Sequence, residues 1–516
     1  MIRRFAAALA LASVSACSLA PKYVRPDLPV PPSWPQGDAY LRQSEAPLPS
    51  VAWRDIFRDP RLQALVEQAL ANNRDLRIAA ANIAAAREQY RIQRAELFPT
   101  VAGLASYSYR EGGAGASPTF TGGTGTDTGT DPGTDPGTTP GGGTGTGTTL
   151  LTGSNSSFSV NLGVTDWEID LFGRIRSLSS AALNRYFGQE AAARATRLTL
   201  VGDVATTWLT YAADSSLLAI AQDTARSAEQ SVRLTRARLE GGIAPRTDLR
   251  QAEQILATAQ ASVASQRTLV AQDVNALQLL VGAPIDTALL PASIEEAGQT
   301  VSELPAGLDS GVLLRRPDVV QAEYELRATN AEIGAARAQL FPRISLTGLV
   351  GFASTALRTL FSGDSFSWSV APNASYPIFR AGAGRAGVRV TQAQRDAALA
   401  TYERTVQSAF REVSDALARR GTITDQLSAN RRNVDAAADT FRLAEARYRG
   451  GIDTFLATLD AQRSLFTARQ TLVQSQLIGA SNLVTLYRTL GGDSSLTVPP
   501  TGQNPAPVEG AAEIQP

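Results

Sequence analysis

The chain has 516 residues, with 48 basic and 48 acidic side chains, no histidine and one cysteine, Cys17. The balanced charge gives no electrostatic reason to expect a nucleic-acid partner. The lack of histidine removes the usual general base and the commonest metal ligand, and a single cysteine allows neither an intrachain disulfide nor a thiolate metal cluster. We therefore expect no enzyme activity, metal or cofactor, and only carboxylate-based catalysis is left open.

The N-terminus, MIRRFAAALALASVSAC, has the pattern of an export signal. Two arginines precede an apolar stretch that is too short to span a bilayer as a helix. Its ending resembles the lipobox of bacterial lipoproteins, which implies a signal peptide at 1–16 and a covalent lipid, diacylglycerol and palmitate, on Cys17. Ser18 stands where an aspartate would favour inner-membrane retention, so this resemblance implies the outer membrane. An ordinary secretory signal with an incidental cysteine is the alternative.

Two further segments are rich in proline. Residues 17–50 are predicted to be an extended tether that lies on the body, because proline interrupts helical hydrogen bonding. Residues 494–516 are predicted to be a disordered tail. No other stretch is long and apolar enough for a transmembrane helix, so a crossing of the outer membrane would have to use β-strands.

The body of the chain is duplicated. The segment NNRDLRIAAANIAAAREQYRIQRAELFP at 72–99 aligns without gaps with RRPDVVQAEYELRATNAEIGAARAQLFP at 315–342. Both segments predict a helix that ends at the proline, which cannot continue the helical hydrogen bonds. We assign the first repeat to 51–292 and the second to 293–493.

After each Leu-Phe-Pro the apolar residues alternate, which predicts β-strands. The predicted strands are 100–110 and 157–167 in the first repeat and 343–352 and 365–376 in the second. Each has about the 9–11 residues that a tilted membrane strand needs. Residues 111–156 are mostly Gly, Thr, Pro, Asp and Ser, which predicts a disordered surface loop.

A heptad pattern follows the second strand of each repeat and predicts a long helical hairpin. The hairpins reverse at double glycines, Gly241-Gly242 and Gly450-Gly451, because glycine accepts positive φ. A second heptad run leads back from each reversal. An ordinary soluble coiled coil is the alternative, but it does not explain the strand segments between the helices.

The strand count predicts an oligomer. Two repeats supply four strands, whereas about eight is the minimum for a membrane barrel. An open edge in lipid would leave backbone groups unsatisfied. Two chains would give roughly eight strands and a filled lumen, and three would give roughly twelve and a pore. The residues alone do not choose between them.

Several segments carry a family resemblance: WRDIFRDPRLQALVEQALANNRDLR (53–77), DWEIDLFGRIRS (166–177), LLRRPDVVQAE (313–323), IGAARAQLFPRISL (333–346) and YRGGIDTFLATLDAQRSLFTAR (448–469). They resemble the outer membrane factor family, the TolC-like channels, and especially its OprM-like (NodT) efflux lipoproteins. The resemblance implies a mixed, mainly α fold. In this fold a homotrimer forms a twelve-stranded transmembrane β-barrel, four strands per chain, which continues as a long periplasmic α-helical barrel.

The same resemblance implies the exit duct of a tripartite efflux system, which passively conducts drugs and other small molecules. Its implied partners are a periplasmic adaptor (membrane fusion) protein and an inner-membrane pump of the resistance-nodulation-division (RND) class. Two other functions stay open: an exit duct for type I protein or polysaccharide export, and a structural coiled-coil lipoprotein of the envelope.

The resemblance also implies residues that close the duct at its periplasmic tip. Leu456 aligns with an apolar ring and Asp460 with an acidic ring, and a ring of carboxylates attracts cations. The alternative for Asp460 is a cap in the first turn of the returning helix. Asp248 and Tyr448 align with positions that tie the two hairpins together as a hydrogen-bonded latch. The alternative for Tyr448 is a heptad core residue.

Overall fold

A computed structural model of the chain describes residues 19–35, 37, 39–40, 52–111, 154–299 and 310–492. Cys17 with the predicted signal peptide, most of the predicted loop 111–156 and the predicted tail 494–516 lie outside the described residues. The rest forms two units. The sheet unit contains residues 95–111, 154–171 and 341–380, and the helical unit contains the remaining described residues. Each sequence repeat therefore contributes to both units.

The sheet unit is an antiparallel meander in the order β1-β2-β3-β4. Its strands are β1 (Val101–Glu111), β2 (Ser154–Glu168), β3 (Arg343–Ser354) and β4 (Phe366–Ser375). Each strand overlaps its predicted segment, and β2 begins earlier than predicted because Ser154–Ser156 pair with the end of β1. Within the described part of the chain, β1 pairs only with β2 and β4 only with β3, so both outer edges are open.

The described residues of the helical unit form two corresponding sets of helices, five in the first repeat and four in the second. The first set is α1 (Trp53–Ile56), α2 (Pro60–Asn72), α3 (Arg74–Ala95), α4 (Arg174–Glu240) and α5 (Arg246–Val281). The second set is α6 (Ile294–Gly298), α7 (Pro317–Ala338), α8 (Ala383–Arg449) and α9 (Phe455–Thr489). α3 and α7 each have 22 residues, and α4 and α8 each have 67. At the usual helical rise, the long helices measure about 100 Å.

The start of α3 and the start of α7 are held in the same way. The Asn73 side chain donates to the carbonyl of Leu280 at 2.8 Å, and Arg316 Nη1 donates to the carbonyl of Thr489 at 2.9 Å. Both acceptors lie in the last turn of a returning helix, where the carbonyls lack helical partners. As a result, α3 begins where α5 ends, and α7 begins where α9 ends.

The helices before the strands end earlier than predicted. α3 ends at Ala95 and α7 at Ala338, rather than at the proline of Leu-Phe-Pro. Their last turns close with short-range bonds, from the Phe98 amide to the Ala95 carbonyl and from the Leu340 amide to the Arg337 carbonyl. The residue before a proline disfavours the helical conformation, so the chain leaves the helix before the proline is reached.

The long helices reverse at the double glycines. Gly242 and Gly451 both have φ of +74°, a conformation that costs glycine little. In each turn the following isoleucine closes the helix end, with Ile243 N–H donating to the Arg238 carbonyl at 2.8 Å and Ile452 N–H to the Arg447 carbonyl at 2.9 Å. The backbones of the two turns therefore match.

The main core of the helical unit lies where the short helices pack against the long ones. Its largest fully buried side chains include Phe57, Trp208, Tyr402 and Tyr487. The indole N–H of Trp208 donates to the carbonyl of Leu289 at 3.1 Å, which satisfies a polar group inside this core. Among the described residues, no helix combines the length and the apolar character needed to cross a membrane.

Candidate functional site

The sheet has two chemically different faces. Residues paired across antiparallel strands share a face, so the register assigns each side chain to one of them. The apolar face carries Val101, Tyr107, Phe158, Val160, Leu162, Val350, Phe352, Phe366, Trp368 and Val370. The opposite face is rich in serine, including Ser106, Ser108, Ser157, Ser159, Ser367 and Ser369. Trp368 on the apolar face is 71% exposed, so this face is suited to an apolar surrounding.

The tips of the two helical hairpins share a small apolar core. It consists of Val232, Leu249 and Ala252 from the first hairpin and Tyr448, Phe455 and Leu459 from the second. The ring centroids of Tyr448 and Phe455 lie 5.1 Å apart. Since the members come from α4, α5, α8 and α9, this tip core fixes the start of α9 against the first hairpin.

The two predicted gate residues lie on a different face of α9 from this core. Leu456 is 56% exposed and Asp460 is also exposed, whereas their neighbours Phe455 and Leu459 are buried. A spacing of four residues places Leu456 and Asp460 on one helical face. The first turn of α9, all of it described, contains no acidic residue, so the alternative of Asp460 as a first-turn cap is wrong.

The predicted latch between Asp248 and Tyr448 is not formed within the chain. Tyr448 is 5% exposed, and its hydroxyl has no hydrogen-bond partner among the described residues. Its ring belongs to the tip core, which is the alternative role that the heptad pattern indicates. Asp248 is half-buried in the first turn of α5, where a negative charge favours the helix N-terminus.

Arg238 makes the polar contact between the hairpins that the sequence does not indicate. Its Nη1 donates to the carbonyl oxygen of Tyr448 at 2.8 Å, and its guanidinium carbon lies 4.6 Å from the centre of the Tyr448 ring. Sequence reasoning misses this contact because the acceptor is a backbone carbonyl, which has no side-chain signature. The one available signal is that each hairpin has an arginine three residues before its double glycine, Arg238 and Arg447.

The equivalent arginine of the second hairpin has a different partner. Arg447 Nε lies 2.5 Å from Oδ2 of Asp453, within its own turn. The hydrogen bond from Arg447 lowers the pKa of Asp453. In the first hairpin the position of Asp453 is occupied by Ala244, so no such carboxylate is available to Arg238. Turns with matching backbones therefore differ in their ion pairing.

The N-terminal tether lies along α7. Residues 19–35 include no helix, and the Leu19 carbonyl accepts from Arg337 at 3.1 Å while the Pro21 carbonyl accepts from Asn330 at 2.8 Å. Gly334 is required here, because a Cβ at this position would lie 2.7 Å from the Cβ of Ala20. The first described residue of the tether is thus held at the C-terminal end of α7.

A buried carboxylate fixes the middle of the tether. Glu323 is 4% exposed and accepts two bonds of 2.9 Å from Arg25, one of 3.2 Å from Tyr23 and one of 2.6 Å from Arg327. Burial acts to raise the pKa of Glu323, but the hydrogen bonds and charges of the two arginines lower it overall. At the end of the tether, the ring of Trp34 stacks on Phe410 with centroids 4.8 Å apart.

Comparison with known proteins identifies this architecture. A family model described as outer membrane efflux protein matches residues 65–283 and 309–492. The solvent efflux pump outer membrane protein SrpC of Pseudomonas putida is 43% identical over 493 residues, which cover 95% of this chain and 98% of that protein. The outer membrane protein OprJ of Pseudomonas aeruginosa is 38% identical over 480 residues, covering 93% of this chain and 94% of that protein.

The fold is also known from solved structures. A crystal structure of the open state of the MtrE outer membrane channel of Neisseria gonorrhoeae matches with a TM-score of 0.75 and 33% identity, covering 92% of this chain and 98% of that one. The predicted fold class, mainly α with four strands per chain as in TolC-like channels, is confirmed by this match, and the protein is an outer membrane protein rather than an enzyme. The chain belongs to the outer membrane efflux protein family.

Proposed function

We propose that the protein is the exit duct of a tripartite efflux system and conducts drugs and other small molecules out of the cell. The observation that carries this proposal is the combination of a four-stranded sheet, apolar on one face and open at both edges, with two long helical hairpins that share a tip core. The name of SrpC, a solvent efflux pump outer membrane protein, supports small-molecule cargo.

The working form is a homotrimer. Open edges β1 and β4 cannot remain unpaired in lipid, since each unsatisfied backbone group is costly there. Three sheets joined edge to edge give a barrel of about twelve strands, wide enough for a pore, with the apolar faces toward lipid. The serine-rich faces then line the interior.

Leu456 and Asp460 form the periplasmic gate. Their shared exposed face on α9 is available to the channel axis, while the tip core holds a different side of the helix. Three copies place an apolar ring one turn away from a ring of carboxylates. Asp460→Asn is expected to reduce cation preference in planar bilayers, and an unchanged preference would contradict this role.

The hairpin tips bind a periplasmic adaptor, which connects the duct to an inner-membrane RND pump. Ile243 and Ile452 are exposed directly after the double glycines, and isolated apolar side chains at a projecting tip suit a protein contact. Because the two turns share one backbone conformation, three chains present six similar tips. Duct and adaptor should therefore co-purify, and no adaptor contact is expected from a structural envelope lipoprotein.

Cys17 carries the lipid anchor. The tether holds Leu19 against Arg337, at the end of α7 from which the chain continues into β3. Acyl chains on Cys17 would insert into the outer membrane and anchor the chain there. Cys17→Ser is expected to abolish labelling by radioactive palmitate, and persistent labelling would exclude lipidation at this residue.

Drug susceptibility of a deletion strain tests the function as a whole. Loss of the duct should sensitise cells to several small toxic compounds, and the purified protein should conduct ions in planar bilayers. If the deletion instead blocks secretion of a protein or polysaccharide and leaves drug susceptibility unchanged, the export alternative replaces drug efflux.

A further inference from the structure

Arg238 joins the end of one hairpin to the end of the other. It lies in the last turn of α4 and is half-buried, with Nη1 2.8 Å from the carbonyl oxygen of Tyr448 in the last turn of α8. Its guanidinium stacks on the Tyr448 ring at 4.6 Å from the ring centre, and Nη2 lies near Gly451. One side chain thus contacts the backbone, the ring and the turn of the second hairpin.

The chemistry of this contact favours a cation. The Tyr448 carbonyl is at the C-terminal end of α8, where it accepts from the Gly451 amide at 3.0 Å and where the helix dipole is negative. Arg238 from another helix donates a second hydrogen bond to this carbonyl and complements the dipole, and the aromatic face adds a cation–π interaction. The buried neighbours Val232 and Phe455 of the tip core limit access of water to the contact.

The duplication shows that this contact is specific to one arginine. Arg447, the counterpart of Arg238, is paired with Asp453 inside its own turn. The counterpart of Asp453 is Ala244, which leaves Arg238 able to reach the second hairpin. Loss of Arg447 therefore removes the same charge from a tip without removing a contact between hairpins.

We propose that Arg238 is a positioning residue of the gate: it holds the tip of the second hairpin, and with it Leu456 and Asp460, against the first hairpin, and its release accompanies opening. This proposal rests on the proposed function as an exit duct. It differs from the predicted Asp248–Tyr448 latch, because the acceptor is the Tyr448 carbonyl and the tyrosine hydroxyl takes no part.

The test uses the full-length oligomer in planar bilayers, with mean conductance and open time as readouts. Arg238→Ala is expected to raise the open-to-closed ratio about tenfold, the factor expected for loss of one charge-assisted hydrogen bond. Arg238→Lys keeps the charge but loses the planar stacking, so a smaller rise is expected. Arg447→Ala is the matched control and should change the ratio less than about twofold.

Other results of this experiment would overturn the proposal. Equal effects of Arg238→Ala and Arg447→Ala would overturn the proposal, because charge loss alone would then explain them. An unchanged open-to-closed ratio in Arg238→Ala would also overturn it. The cation preference of Asp460→Asn, measured in parallel, tests the proposed gate separately from the role of Arg238. If Arg238→Ala fails to assemble, Arg238→Lys and Arg238→Gln replace it, because both retain part of the aliphatic stem and a hydrogen-bond donor. An open-to-closed ratio that rises in neither variant contradicts the proposal.

Discussion

Helices α3 and α7 come from the two aligned segments of the duplication and have the same length, yet they differ in burial. Every residue of α3 is described, and Ile83 is the only buried one. In contrast, α7 has buried residues from Val319 to Ala338, because it packs against both α4 and α8 of its own chain. The second repeat therefore finds its neighbours within the chain, and the first repeat lacks them. In the proposed homotrimer, the exposed face of α3 is the surface that a neighbouring copy would cover.

Substitutions on the exposed face of α3 test this comparison most severely. Ile78 and Ile92 are 58% and 61% exposed and lie four helical turns apart, on one side of α3. Burial of an isoleucine contributes about 1.5–3 kcal/mol, so the double change Ile78→Asp/Ile92→Asp should remove roughly 3–6 kcal/mol from each interface. We expect a folded chain that no longer forms trimers, measured by light scattering in detergent together with circular dichroism.

A charge at the aligned position of α7 should affect folding, whereas the changes in α3 should affect only assembly. Ala335 corresponds to Ile92 and is buried within the chain. Ala335→Asp places an unpaired charge in the packed unit and should prevent folding, not only assembly. Trimers that survive Ile78→Asp/Ile92→Asp would show that α3 is not an interface helix.

The tether provides a second difference between the two copies. Glu323 of α7 corresponds to Ala80 of α3, so only the second copy holds the clamp for Arg25 and Tyr23. Glu323→Ala should free the tether and destabilise the protein by about 2 kcal/mol, less than for a fully buried pair because Arg25 is half exposed. Limited proteolysis before residue 35 and the fluorescence of Trp34 report the release.

The same clamp should depend on pH. The folded state lowers the pKa of Glu323 below its usual 4.5, so its stabilisation is complete above that value and is lost as the pH falls through the folded pKa. Glu325→Ala is the control, because Glu325 is exposed and its nearest cation, Arg185, is 3.6 Å away. Equal proteolysis of the two variants at neutral pH would argue against a clamp at Glu323.

The parts of the structure that could be predicted depend on local sequence. The duplicated helix, the alternating strands and the glycine turns each follow from a period or from the φ that one residue accepts. Contacts between distant residues leave no such signal. Arg25 and Glu323 are 298 residues apart, and Arg238 meets a carbonyl 210 residues away, so neither contact can be inferred from spacing. The Tyr448 hydroxyl was assigned a partner by resemblance that the single chain does not provide.

The smallest expected effect concerns a third position at which the repeats differ. Asp214 of α4 and Asp273 of α5 face each other, and their counterparts in the second hairpin are Ile423 and Asn482. Burial, and then the charge of Asp214, raise the pKa of Asp273 to about 7. The stability that comes from the protonated form is therefore complete below 3.8, the usual value, and is lost as the pH rises through about 7.

Asp273→Asn supplies the amide that the second hairpin already has and removes the titration. Both groups are partly exposed, so after discounting for screening by solvent we expect a gain of about 1 kcal/mol at pH 8 and little change at about pH 3.5, below the usual pKa of an aspartate. Thermal unfolding at the two pH values measures the gain. The Asn482 side chain donates to the Ala416 carbonyl at 3.0 Å, and the counterpart of Asp214 is the buried Ile423. Asn482→Asp should therefore destabilise at pH 8 through burial of the charge and loss of this donor, which separates desolvation from repulsion between two carboxylates.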